Sequence, residues 1–178
     1  ADAAVRAGVR RFLFMSTDST VGFSRDGKLF DHSTPDSPYK AYGKSKWKAE
    51  QYLRTLHAEG RLDLTIIRGF WFFGPHAPAR NQGFVKMFEW PLQIMFGNGK
   101  NLRSISHLDD IIQAFTKAEH KSATYGQTYW LPSLGKAQST LQIYRMISEG
   151  LGRKLNLIYL PNFACECFAL LDAILTRM

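Results

Sequence analysis

Cysteine is nearly absent. Cys165 and Cys167 are the only two in 178 residues, and they lie two apart. They would diverge on a helix and point the same way on a strand, so neither geometry suits a disulfide. The count fits a reducing, cytoplasmic compartment. No apolar run reaches about 18 residues, so no transmembrane helix is expected. His32, His57, His76, His107 and His120 are scattered, so no metal centre is expected either. Acidic residues are the scarcer charge, 15 against 23 basic, for a net charge of +8. That excess suits a small anionic ligand bearing phosphates; it suits equally well one part of a longer chain whose remainder is acidic. Lys40, Lys44, Lys46 and Lys48 form no long stripe with interleaved aromatics, so nucleic acid is not an expected partner. An initiating Met and a signal-peptide pattern are also lacking. The chain opens on what reads as the last turns of an amphipathic helix capped by Gly8, and it ends inside an apolar helical pattern. It is expected to be an interior piece of a longer protein.

What is present is an alternation of strand and helix. Residues 10–17 read as an apolar strand buried in a parallel sheet. A loop from Ser24 to Ala41 carries the turn signals Asp26-Gly27 and Pro35-Asp36. A helix is expected over Tyr42 to Ala58, with Lys46, Ala49, Tyr52 and Leu53 inward and Gly60 closing it, then a strand over Leu64 to Arg68. This order implies a parallel crossover. Asn81 to Phe96, rich in aromatics and Met, is expected to be helical with a break at Pro91. Further helices start near Leu108 and after Ser139, the latter burying Leu141, Ile143, Met146 and Ile147. Thr128 to Leu131 and Leu155 to Leu160 read as strands, and Phe163 to Leu175 as a buried helix in preference to a membrane-surface segment.

The chemistry is concentrated between Ser16 and Lys46. Ser16 and Thr17 end the first strand, and Tyr42 and Lys46 lie one helical turn apart on a shared face. A Tyr is a poor base near neutrality, because its reference pKa is about 10. A neighbouring ammonium stabilises the phenolate; a shift of about three units would need roughly 4 kcal/mol. Thr17 could then hold a reacting oxygen by a hydrogen bond.

Tyr42-x-x-x-Lys46, the Thr17 hydroxyl twenty-five residues earlier, the preceding Phe14-Met15-Ser16 and the later Arg68…Gly74-Pro75 together resemble the extended short-chain dehydrogenase/reductases. That family includes NAD-dependent sugar-nucleotide epimerases and dehydratases and 3β-hydroxysteroid dehydrogenases. The resemblance covers nearly the whole chain but only the second half of the family fold. The Gly-rich turn that holds the cofactor pyrophosphate does not occur; Gly97-Asn98-Gly99 is nearest and lies in another context. The resemblance implies an α/β fold, the C-terminal part of a Rossmann-type parallel sheet with a smaller substrate-binding region. Residues 1–75 would be the second half of an NAD(P)-binding domain, and 76–178 the substrate-binding region with elements returning to the sheet.

The same resemblance assigns roles. Tyr42 would be the general acid/base, Lys46 would tune it and hold the nicotinamide ribose, and Thr17 would position substrate. Ser16, Gly69 and Phe70 would line the cofactor side. Asp18 matches a dehydratase acid, but Ser19 stands where the partner Glu would be, so elimination is not expected. Trp71 stands where sugar-nucleotide enzymes often carry Asn, favouring a flatter apolar substrate. Arg103, after Gly97-x-Gly99, matches an Arg that clamps a nucleotide diphosphate. The implied activity is NAD- or NADP-dependent hydride transfer at a secondary alcohol or ketone, with a sugar nucleotide or a sterol-type alcohol as the two substrate readings. A non-catalytic protein keeping the fold is the alternative of another class. The expected partner is a small-molecule substrate, with a homodimer left open.

Overall fold

The computed structural model describes residues 1–24, 29–31, 33–75, 79–132 and 135–164. The chain divides into two compact units, one of Ala1–Gly74 with Ile105–Leu134, the other of Pro75–Ser104 with the chain from Gly135 onward.

The first unit begins with a short helix α1 (Asp2–Arg6), then β1 (Arg11–Thr17) and a 3-10 turn over Asp18–Thr20. The long helix α2 (Lys40–Ala58) leads to β2 (Asp63–Gly69) and the short β3 (Trp71–Phe73). β1 and β2 run parallel, with Ser16 opposite Arg68 and Thr17 opposite Gly69. Alternation along a strand sends Phe12, Phe14, Leu64 and Ile66 to one face. There they meet Leu53 and Leu56 of α2, with Leu62 and Val5 completing the cluster. Tyr52, expected inward, is turned outward, because the buried face of α2 runs through Gly43, Glu50, Leu53 and Leu56. Its phenol donates to the Asp2 carboxylate of α1, and that bond pushes its pKa upward.

Residues 11–15 of β1 are only half-buried. The sequence implies a strand covered on both sides, but the sheet order is β1–β2–β7, so β1 is at an edge among the described strands.

In the second unit, α3 (Ala79–Lys86) and a 3-10 turn (Met87–Glu89) precede β4 (Gln93–Phe96) and β5 (Leu102–Arg103). The helix expected over 81–96 therefore stops before Pro91. Beyond it the buried–exposed alternation of Gln93, Ile94 and Met95 has the period of a strand, not of a helix. The chain then returns to the first unit for β6 (Ile105–His107), α4 (Leu108–Glu119) and β7 (Thr128–Leu131). β6 pairs with β3, and β7 extends the main sheet beside β2. Arg11 ties the C-terminal end of α4 to this sheet. Its guanidinium donates to the carbonyls of Ala118 at 2.6 Å and Glu119 at 3.0 Å, where the helix dipole favours a cation.

The second unit closes with β8 (Gln138–Ser139), α5 (Thr140–Gly150) and β9 (Leu157–Leu160). Ser139 and Gln142 form a reciprocal capping box that starts α5. β4 pairs with β9 in parallel, and β5 with β8 antiparallel. Phe84, Phe88 and Tyr144 pack edge to face beside Met95, with centroids 4.9–5.8 Å apart. Tyr144 takes the buried place that the sequence gives to Met146, because its hydroxyl reaches the Ile94 carbonyl at 3.1 Å. Burial pushes its pKa up. Cys165, Cys167 and most of the apolar segment 163–175 lie outside the described residues.

Candidate active site

The C-terminal end of β1 is where the candidate residues gather. Thr17 is the last residue of the strand and also the N-cap of the following turn. Its hydroxyl donates to Asp18 Oδ1 at 3.0 Å and accepts from the Ser19 amide at 3.3 Å. The side chain is therefore buried and held in one orientation. Thr20 Oγ1 donates to the Thr17 carbonyl at 2.9 Å, fixing the same turn from below.

The first turn of α2 packs on this segment. Gly43 lies against the Ser19 carbonyl so closely that a Cβ there would overlap the oxygen. A bare α-carbon is what lets the helix start approach, and it brings Tyr42 beside the Thr17 turn. Lys46, one turn further, donates from Nζ to the Met15 carbonyl at 2.9 Å and sits over the Phe14 ring at 4.9 Å. Tyr42 is 59% exposed, so its phenol faces solvent where a substrate can reach it. Tyr39, three residues before Tyr42, is the N-cap of the helix and packs on Phe23. Gly43→Ala should cost about 1–3 kcal/mol, because the neighbour in its way is backbone and cannot rotate aside. A displacement of about 1 Å at Tyr42 should lower turnover about 10²-fold. Urea unfolding and steady-state kinetics on the same preparation check both.

Ser16 is placed differently. Alternation puts it on the α2 face with Phe14, opposite to Thr17, and its buried hydroxyl has no hydrogen-bond partner among the described residues. Gly69 ends β2 with the Met15 methyl in the space its side chain would fill. The Phe70 amide donates to Ser106 Oγ at 3.2 Å, and the Phe70 ring tilts against Trp130. Trp71 begins β3 and is half-buried, paired with Ile105. Arg103 is exposed on β5, in the other unit.

Sequence reasoning missed a buried ion pair beneath α2. Arg68 donates from Nε to Glu50 Oε1 at 3.0 Å and from Nη2 to Glu50 Oε2 at 2.6 Å. Nη2 also reaches Asp36 Oδ1 at 2.8 Å, which ties the loop before α2 to the sheet. Burial works to lower the Arg68 pKa, but Glu50 and Asp36 outweigh it and leave it raised. The available signal was Glu50 itself, four residues after Lys46 on the face that the helix buries. A cavity of about 230 Å³ lies beside Arg68, lined also by Asp36, Arg54 and Trp130; none of Glu50, Thr17 and Tyr42 lines it.

The nicotinamide end of a dinucleotide fits what is present. One donor of the Lys46 ammonium goes to Met15, and an ammonium has three. Tyr42 is exposed beside it. The pyrophosphate end has no Gly-rich strand–helix turn to hold it within these 178 residues.

Known proteins resemble the chain over most of its length. An uncharacterised protein of Sinorhizobium fredii is 32% identical over 97% of this chain. A relative from Escherichia coli O157:H7, N-acetyl-alpha-D-glucosaminyl-diphospho-ditrans,octacis-undecaprenol 4-epimerase, is 27% identical over 86% of it. The chain spans about half the length of these relatives, 51% and 46% respectively. Among solved structures, dTDP-glucose 4,6-dehydratase from Bacillus anthracis in complex with NAD superposes with a TM-score of 0.76 at 20% identity. That match covers 90% of this chain and 52% of the other, and it speaks for the fold. Residues 1–129 match the NAD dependent epimerase/dehydratase family, and the chain belongs to that family.

Proposed function

We propose that the protein is an NAD-dependent enzyme that oxidises and reduces a secondary alcohol carbon of a diphosphate-linked sugar, and that it acts as an epimerase. The observation that carries this reading is the Thr17–Tyr42–Lys46 set, drawn to one strand end by the contact of Gly43 with Ser19. Residues 1–75 supply the second half of the cofactor-binding domain, and 76–178 the substrate region together with elements that return to the sheet of that domain.

In this reading Lys46 and Tyr42 hold the nicotinamide ribose, with Ser16, Gly69 and Phe70 on the cofactor side. A bound nicotinamide would supply the acceptor and donor of hydride for the alcohol carbon. Tyr42 Oη takes the proton of the substrate hydroxyl as the carbon–oxygen double bond forms, and gives it back on reduction. Thr17 Oγ1 holds that oxygen in place. Reduction of the carbonyl carbon from its opposite face would give the epimer. Arg103 suits the diphosphate, since a guanidinium meets it through two parallel hydrogen bonds.

Asp18 accepts from Thr17, and Ser19 offers a hydroxyl where loss of water from the sugar needs a second acid–base group. Epimerisation is therefore favoured over dehydration. Trp71 supports a second reading, a flat apolar alcohol of sterol type.

Incubating the intact protein with NAD and UDP- or dTDP-glucose, and following the sugar protons by NMR, separates the readings. An epimer with no keto-deoxy product is expected. A keto-deoxy sugar would overturn the epimerase assignment, and turnover of sterols but not sugars would replace the substrate class.

A further inference from the structure

The second unit presents an apolar surface that its own core does not use. Alternation along β4 and β9 buries Gln93 and Met95 and turns Ile94 outward, and Ile158, directly opposite Ile94, is exposed beside it. Leu92, two residues before Ile94, is exposed, as are Trp90 at 69% and Phe163 at 67%. Scattered exposed apolar residues are ordinary, but side chains sharing one sheet face and its ends are not.

The turn that carries Trp90 is built, not frayed. Gln93, 2% exposed, donates from Nε2 to the Trp90 carbonyl at 2.6 Å and accepts from the Asn156 amide at 3.2 Å. Asn156 Nδ2 donates to the Pro91 carbonyl at 3.1 Å. Arg153 Nη1 donates to the Glu89 carbonyl at 3.0 Å. The Glu89 and Pro91 carbonyls are thus fixed by the segment leading into β9 and the Trp90 carbonyl by Gln93 of β4, while the indole is left in solvent. A buried glutamine thus fixes the backbone that carries an exposed tryptophan, as a docking anchor requires.

The unit as a whole carries charge of one dominant sign. The described residues of this unit hold Arg80, Lys86, Lys100, Arg103, Lys136, Arg145, Arg153 and Lys154 against Glu89 and Glu149, eight basic to two acidic. Arg153 is bonded into the Trp90 turn, and Lys154 follows it. Aromatic and aliphatic side chains on a flat face with a basic rim match the interface of an anionic bilayer, where indole sits at headgroup depth and each nearby cation adds attraction. No helix among the described residues is long and apolar enough to span a bilayer, so the contact is with its surface.

We propose that the outer face of β4 and β9, with Trp90 as anchor and Lys86, Arg153 and Lys154 as rim, docks the protein on an anionic lipid surface. The test uses the intact protein without any sugar substrate, so it reads docking separately from the proposed activity. Co-sedimentation is measured with vesicles of phosphatidylglycerol and phosphatidylcholine, and with phosphatidylcholine alone. Binding to the anionic vesicles at least tenfold tighter is expected, falling about tenfold in Trp90→Ser and again in Lys86→Glu with Lys154→Glu. Trp90 is exposed, so its replacement leaves the unfolding midpoint in place. Absence of vesicle binding, equal binding to both vesicles, or binding untouched by Trp90→Ser would overturn the proposal. A dimer in solution that Trp90→Ser abolishes would assign the face to a second copy and overturn it too.

Discussion

Glu50→Ala should lose about 3–5 kcal/mol of folding stability, the cost of leaving a buried charge without its partner. The loss falls on Arg68, whose side chain is 6% exposed and which makes two of its hydrogen bonds to Glu50. Asp36 would be the remaining carboxylate on it, at the rim of the cavity and itself partly exposed. Domains have about 5–15 kcal/mol in all, so the variant should unfold at a much lower urea concentration or fail to accumulate. The pair also joins α2 to β2 and the loop before α2, so its loss should loosen the helix that carries Tyr42 and Lys46. A double variant, Glu50→Leu with Arg68→Met, distinguishes specific charge burial from simple loss of packing. It should be more stable than Glu50→Ala, because no buried charge is left unpaired; Asp36 and Arg54, which lose their partners Arg68 and Glu50, are both partly exposed to water. Equal urea midpoints for Glu50→Ala and the unaltered protein would contradict the account of the ion pair.

Much of the fold was legible because its signals are local. The run from Arg11 to Thr17, the strand at 128–131 and the Ser139 cap each follow from a few adjacent residues. The errors lie where a distant segment decides. Gln93–Phe96 is a strand because β9, more than sixty residues on, pairs with it, and an aromatic-rich stretch does not announce that partner. Tyr144 displaces Met146 from the core because its hydroxyl finds the Ile94 carbonyl fifty residues away. The half-buried state of β1 depends on what pairs with its other edge, which a strand pattern does not encode.

Thr17, Tyr42 and Lys46 are proposed from their spacing, and the contact of Gly43 with Ser19 brings the start of α2 to the turn that follows Thr17. Ser16 shows the limit of that reasoning. Adjacency to Thr17 suggests a shared role, yet the pleat sends the two side chains to opposite faces. Glu50 and Arg68 were each visible, but nothing in eighteen residues of separation says that they meet.

The central claim is that Tyr42 moves the proton in a hydride transfer for which Lys46 and Thr17 hold the reactants. Tyr42→Phe removes one oxygen atom from an exposed side chain, so the fold and the urea midpoint should not change. Loss of general acid–base catalysis is worth about 10²–10⁴ in rate. The direct measurement is single-turnover formation of reduced nicotinamide by the intact protein mixed with substrate, alongside NAD affinity by titration. A fall of about 10²–10⁴-fold in the single-turnover rate, with NAD affinity within about threefold of the unaltered protein, is the predicted result. An unchanged rate in Tyr42→Phe would contradict the account.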